Sequence, residues 1–180
     1  MQNTSEKEVV ESPGLRKEVG YALTKLDEFI KCKIKVVEEG IEYVQDQNKF
    51  RSKAAPQISV HEYLLRINKY CPLELVVVLS ITIYFERLAA RGTIVLDKLS
   101  VHRLLVAALV VSSKLNSDVF YTNTRYAKVG GLPPNELARL ELAFLLALDF
   151  ELFLSPEELL RAARLLDCPE SCLPFTCLSN

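Results

Sequence analysis

Histidine is scarce in this sequence: two occur in 180 residues, and neither stands in an HExxH or GxSxG setting. His61 falls in the first turn of a helical pattern. His102 comes two residues after a helix-starting Ser100, where a polar contact at the core edge explains it without catalysis. Cysteine is present in odd number, five in all, and no CxxC knuckle occurs. Cys168, Cys172 and Cys177 follow a C-x3-C-x4-C spacing without a nearby histidine, which argues against structural zinc. Together with Cys32 and Cys71 inside helical patterns, they read as reduced thiols and not as a disulfide frame. An excess of one charge is also missing, since 22 Lys and Arg face 23 Asp and Glu. The broad cationic field of a nucleic-acid binder is therefore not expected. Long apolar runs are lacking as well. The longest, Leu75 to Phe85, is interrupted by Ser80 and Thr82 and falls far short of the ~20 residues of a membrane span. The opening MQNTSEKEVVESPG has no apolar signal core, so the expected location is intracellular, in cytoplasm or nucleus.

What is present is apolar surface. Hydrophobic residues make up 49% of the chain and the mean hydropathy is +0.14, enough for one core and a face left over for a protein partner. Residues 1–14 read as a flexible tail ending in Ser12-Pro13-Gly14. Residues 15–50 read as a helical arm with an apolar stripe at Leu23, Leu26, Ile30, Ile34, Val37, Ile41 and Val44. The stripe is compatible with docking on the core, self-association or contact with a partner. After a linker over 51–58, the main unit runs over 59–160, with a C-terminal segment over 161–180.

Helix punctuation is legible throughout the main unit. Ser59 with Glu62 forms a capping box for a helix to about Lys69, and Pro72 is expected in the first turn of the next, which stops at Gly92. Ser100 is expected to cap a nearly all-apolar helix from Val101 to about Leu115, the middle of a bundle. A short helix follows around Asn123 to Lys128, another runs from Asn135 to about Leu148, and Ser155-Pro156-Glu157-Glu158 caps one more. No strand alternation bounded by hairpin turns is seen, apart from a stretch from Asp149 to Leu154 that is too short to stand alone. The fold class is all-α: a five-helix bundle with an N-terminal helical arm and a short C-terminal helix.

The chemistry-bearing candidates mostly resolve into structure. Lys128-Val129-Gly130-Gly131 lacks the preceding strand and the GxxxxGK[ST] order of a phosphate loop, and reads as a helix stop. Asp97, Ser100 and His102 crowd one helix start and cannot act as a relay. Glu38-Glu39 and Glu157-Glu158 are explained by solvation or the helix dipole. Two charges stand out. Lys114 continues an apolar face at the end of its helix, where it can snorkel and favour the negative helix pole. Glu141 stands within the stripe Leu137, Glu141, Phe144, Leu148 and must meet a cation, water or the donors of a partner. If their helices pack side by side, the two form a polar clamp amid apolar residues.

The segments SVHEYLLRINKY, VVVLSITIYFERLAARG, LSVHRLLVAALVVSSKLNSD and YTNTRYAKVGGLPPNELARLELAFLLALDFELFLSPEEL resemble, in order and spacing, the PHO-type (P- or U-type) cyclins, regulatory subunits of cyclin-dependent kinases. The resemblance covers Ser59 to about Leu160 and implies a single cyclin box. It also implies no catalytic residues, no cofactor, no metal, no small-molecule substrate, and a cyclin-dependent protein kinase as partner. The lysine and glutamate by which cyclins bind backbone groups of the kinase's PSTAIRE-type helix correspond to Lys114 and Glu141. Val111, Leu115, Leu145, Phe150 and Leu152 correspond to apolar contact positions. Asp118 corresponds to an acidic position near the kinase's activation-segment arginines, where it can replace a phosphoryl charge. A cyclin-fold transcription-factor or adaptor module without a kinase is the alternative. It needs a basic face, whereas residues 101–180 carry 7 Lys and Arg against 9 Asp and Glu.

Overall fold

The computed structural model describes residues 13–40, 49–92 and 94–168. These form seven helices in chain order: α1 (Pro13–Gly40), α2 (Val60–Tyr70), α3 (Leu75–Arg91), α4 (Val101–Asn116), α5 (Asn123–Gly130), α6 (Pro134–Ala147) and α7 (Pro156–Leu165). No strand occurs among the described residues.

Helix α4 is the axis of the bundle because its sequence offers no polar side. Twelve of its sixteen residues are buried, and it packs against α2, α3, α5 and α6. Ala107 and Ala108, both fully buried, keep its surface shallow so that neighbouring helices approach closely. Helix α3 is nearly as apolar, and its two buried hydroxyls bond within the helix. Ser80 Oγ donates to the carbonyl of Val76 and Thr82 Oγ1 to that of Val78, the back-bonding that lets such groups sit in a core.

The arm docks. Val19, Ala22, Leu23, Leu26, Ile30 and Ile34 of α1 are buried against α2 and α3, and each fully buried leucine or isoleucine adds about 1.5–3 kcal/mol. Tyr21 Oη donates to Asp167 Oδ2 at 2.7 Å, tying α1 to the segment after α7. Ile41 and Val44 of the expected stripe, most of the expected tail, and Cys172 and Cys177 lie outside the described residues. The boundary expected at residue 160 falls inside α7, which packs on α3.

Local signals mostly hold. Capping boxes are present at Ser59 with Glu62 and at Ser155 with Glu158, and Gly92 and Gly131 end α3 and α5 with φ of 62° and 73°, a conformation that costs other residues about 1–2 kcal/mol. Two expectations are corrected. Pro72 lies in the connector and not in a first turn, since α3 starts at Leu75 after Glu74, and Asn68 Oδ1 takes the backbone N–H of Leu73. Ser100 stands at the N-cap of α4, but its side chain makes no capping bond. Asp97 Oδ1 accepts from the N–H groups of Leu99 and Ser100, while Ser100 Oγ donates to the carbonyl of Val95. The turn before the helix therefore uses the hydroxyl that would have capped it.

Candidate functional site

The two expected clamp residues meet. Lys114 lies in the last turn of α4 and Glu141 midway along α6, and because these helices pack together the ammonium stands 2.6 Å from Glu141 Oε1. Glu141 Oε2 accepts from Asn123 Nδ2 at 2.8 Å, a contact from the first residue of α5. The side chains of Lys114 and Glu141 keep 34% and 17% of their exposure, so the pair lies at the surface and is not sealed in the core. Each has capacity left. An ammonium has three donors and a carboxylate about four acceptor positions, and one and two of these are used here.

Apolar residues neighbour the pair along both helices. Leu115 is 50% exposed beside Lys114. On α6, Leu137, Phe144 and Leu148 face the core with no exposure, which leaves Glu141 at the rim. Leu145 is half-buried just beyond it, and Leu142 and Leu146 are exposed further round the helix. Leu142 and Leu146 were not singled out from the sequence. Their signal was the excess of leucine in α6 over what one buried stripe requires. Val111, expected among the contact residues, is 4% exposed. An apolar helix gives no pattern by which to tell its outer side, and the structure turns this side chain inward, beneath the face.

The chain leaves α6 through two non-glycine residues in the left-handed region, Asp149 with φ 52° and Phe150 with φ 55°. Such residues cost about 1–3 kcal/mol each and persist only where surroundings over-determine them. Here α3 supplies the restraint. Arg87 Nη1 donates to the carbonyl of Glu151 and Nη2 to that of Phe153 and to Glu158 Oε1, while Tyr84 Oη donates to the carbonyl of Leu152. Arg91 pairs with Glu151. Burial works against ionisation of Glu158, yet the backbone N–H of Ser155 and the guanidinium of Arg87 outweigh it and hold the carboxyl below its ordinary range. The result fixes a loop on which Phe150 is 57% exposed and Leu152 half-buried. Nothing local in the sequence marks Arg87 or Tyr84 as the residues that brace it.

Asp118 lies in the connector four residues beyond Lys114, exposed and with no ion pair among the described residues. The connector is pinned next to it by Ser117 Oγ, which bonds Glu74 Oε1 and the carbonyl of Val119. Exposed Val119 and Phe120 follow, and neither was anticipated. The histidines play no part in this face: His102 Nε2 bonds the carbonyl of Ile58 and its ring meets Tyr63 edge-on, while His61 lies near Asp27.

A sequence model of the Cyclin family matches residues 5–152. The chain is 48% identical over 112 residues to PHO85 cyclin-like protein psl1 of Schizosaccharomyces pombe, a match covering 61% of the chain and 46% of that protein. It is 42% identical over 129 residues to PHO85 cyclin-7 of Saccharomyces cerevisiae, covering 65% and 45%. It is 40% identical over 103 residues to Cyclin-P3-1 of Oryza sativa subsp. japonica, covering 57% and 44%. The chain thus spans under half the length of each of these relatives.

Proposed function

The chain belongs to the cyclin family, and from that premise we propose that it is a regulatory subunit that binds a cyclin-dependent protein kinase and holds it in its active arrangement. The observation that carries this reading is the partly used Lys114–Glu141 pair at the rim of an apolar face. A cation with spare donors beside an anion with spare acceptor positions suits a backbone carbonyl and a backbone N–H of a partner presented side by side. Leu115, Leu142, Leu145, Leu146, Phe150 and Leu152 supply apolar area around that polar point, and Val111 supports it from within. Asp118 supplies a negative charge for arginines of the kinase's activation segment.

The mechanism in this reading is a shift of population. The kinase alternates between arrangements of its mobile helix, and a ligand that binds one of them better moves the equilibrium by that difference in affinity and no more. The active arrangement is the one in which a Lys–Glu pair of the kinase can hold nucleotide phosphates. The chain contributes no catalytic group of its own. An intracellular location, in cytoplasm or nucleus, belongs to the same reading and is supported by the unbridged thiols of Cys32 and Cys71. The test is affinity capture from cell extract with the wild type and a Lys114→Ala/Glu141→Ala variant, read by mass spectrometry. A cyclin-dependent kinase enriched only by the wild type is expected; its equal recovery by both would count against the clamp.

A further inference from the structure

Helix α5 serves two surfaces. Its first residue completes the clamp, and its outer side carries Arg125 and Lys128, which with Arg66, Lys69 and Tyr70 of α2 and Val129 line an open groove of about 740 Å³. In a chain whose charges nearly cancel, four cations and, among the described residues, no carboxylate line this groove. All four are exposed, and none is ion-paired to a carboxylate of the described residues.

The arrangement is compact. Arg66 and Lys69 stand one turn apart on α2, as Arg125 and Lys128 do on α5, so within each pair the Cβ atoms lie about 5–6 Å apart. Both pairs line the same groove between α2 and α5, so four cations surround a single opening. A nucleic-acid strand instead requires cations strung along successive phosphates. Arg125 is held in place before any anion arrives. Its Nε and Nη2 donate to the carbonyl of Tyr70 at 3.1 and 2.6 Å, and its guanidinium lies 4.1 Å from the centroid of the Tyr121 ring. A fixed guanidinium loses little freedom on binding, and guanidinium with ammonium is the donor set that suits phosphate. Tyr70, half-exposed, and Val129 add an apolar wall for residues flanking the anion.

We propose that this groove docks a phosphorylated serine or threonine within a linear segment of a partner protein. The inference does not rest on the kinase reading, because the binding is a property of this chain alone. Combined with that reading, it would retain proteins already phosphorylated once.

The test is fluorescence anisotropy on the full chain with a short labelled peptide carrying one phosphoserine flanked by valine and leucine. The same peptide unphosphorylated and a single-stranded oligonucleotide serve as the other probes. The wild type should bind the phosphopeptide about tenfold or more tighter than its unphosphorylated form, as expected for charge-assisted contacts to phosphate. Arg66→Gln/Lys128→Gln should abolish that preference, and Lys53→Gln, at an exposed lysine before α2 that does not line the groove, should keep it. Neither Arg66 nor Lys128 makes a side-chain hydrogen bond within the described residues, so the double variant should melt with the wild type. Lys69→Glu provides a second variant with the same expected loss. Equal binding of the two peptides, an unchanged preference in both groove variants, or tighter binding of the oligonucleotide overturns the proposal.

Discussion

The hydroxyl of Tyr63 in α2 donates to the carbonyl of Gly130 at the end of α5 at 3.1 Å, and a Cβ built on Gly130 would lie 3.0 Å from that hydroxyl and 3.1 Å from Val106 Cγ2. The glycine is there for close approach and not for its backbone angles, since its φ is not positive. Three helices, α2, α4 and α5, meet at this point.

Gly130→Ala should therefore destabilise the fold by about 1–3 kcal/mol, the range of overpacking, measured by urea denaturation. Tyr63→Phe alone should cost about 1 kcal/mol for the lost hydrogen bond. In the double variant the two costs should sum to more than the measured loss, because the hydroxyl that crowds the new methyl is gone. Strict additivity would mean that Val106, not Tyr63, sets the limit.

Arg87→Ala removes the guanidinium that holds Glu151, Phe153 and Glu158. The loss should be about 2 kcal/mol or more, given hydrogen bonds to a charged, mostly covered group, and amide exchange over residues 150–154 should quicken before that of α4. Retained protection in this loop would show that the left-handed turn at Asp149 and Phe150 sustains itself.

Burial lowers the pKa of His102 below the ordinary histidine value of 6.5, with the carbonyl of Ile58 opposing the shift. The unfolded chain then binds more protons than the folded one as pH falls through 6.5, so stability should fall with it until the folded group also titrates. His102→Gln should flatten this part of the profile between neutrality and mild acid. An identical slope in the two proteins, measured by chemical denaturation across that range, would remove His102 as its source.

Leu23→Ala tests the docked arm. Leu23 is fully buried on the inner side of α1, and its truncation should cost about 2–5 kcal/mol if the arm is part of the cooperative core. A change within a few tenths would mean that the arm unfolds separately.

The limits of the sequence follow from how far each interaction reaches along the chain. Both capping boxes and the helix stops at Gly92 and Gly131 are set within four residues, so local chemistry dictates them. Ser100 looked like an equally good cap, but the turn before α4 engages its hydroxyl, which donates to the carbonyl of Val95 and accepts from the backbone N–H of Asp97. The approach of Lys114 to Glu141 was legible as a condition, since both interrupt apolar faces of helices that had to pack. The contribution of Asn123 was not, because it depends on where α5 begins relative to α6. Arg87 reaches residues 64 to 71 positions away, and no periodicity encodes that. Val111 shows the reverse limit: in a helix apolar on all sides, the side that faces outward is fixed only by the neighbours.

The most direct test of the clamp is peptide phosphorylation by the captured kinase, purified without its cyclin and titrated with this chain. The wild type should give saturable activation, and Lys114→Ala/Glu141→Ala should require at least about 100-fold more protein, equivalent to roughly 2.7 kcal/mol of lost affinity. Activation by the double variant at wild-type concentrations, with its fold intact, would contradict the clamp as the point of contact.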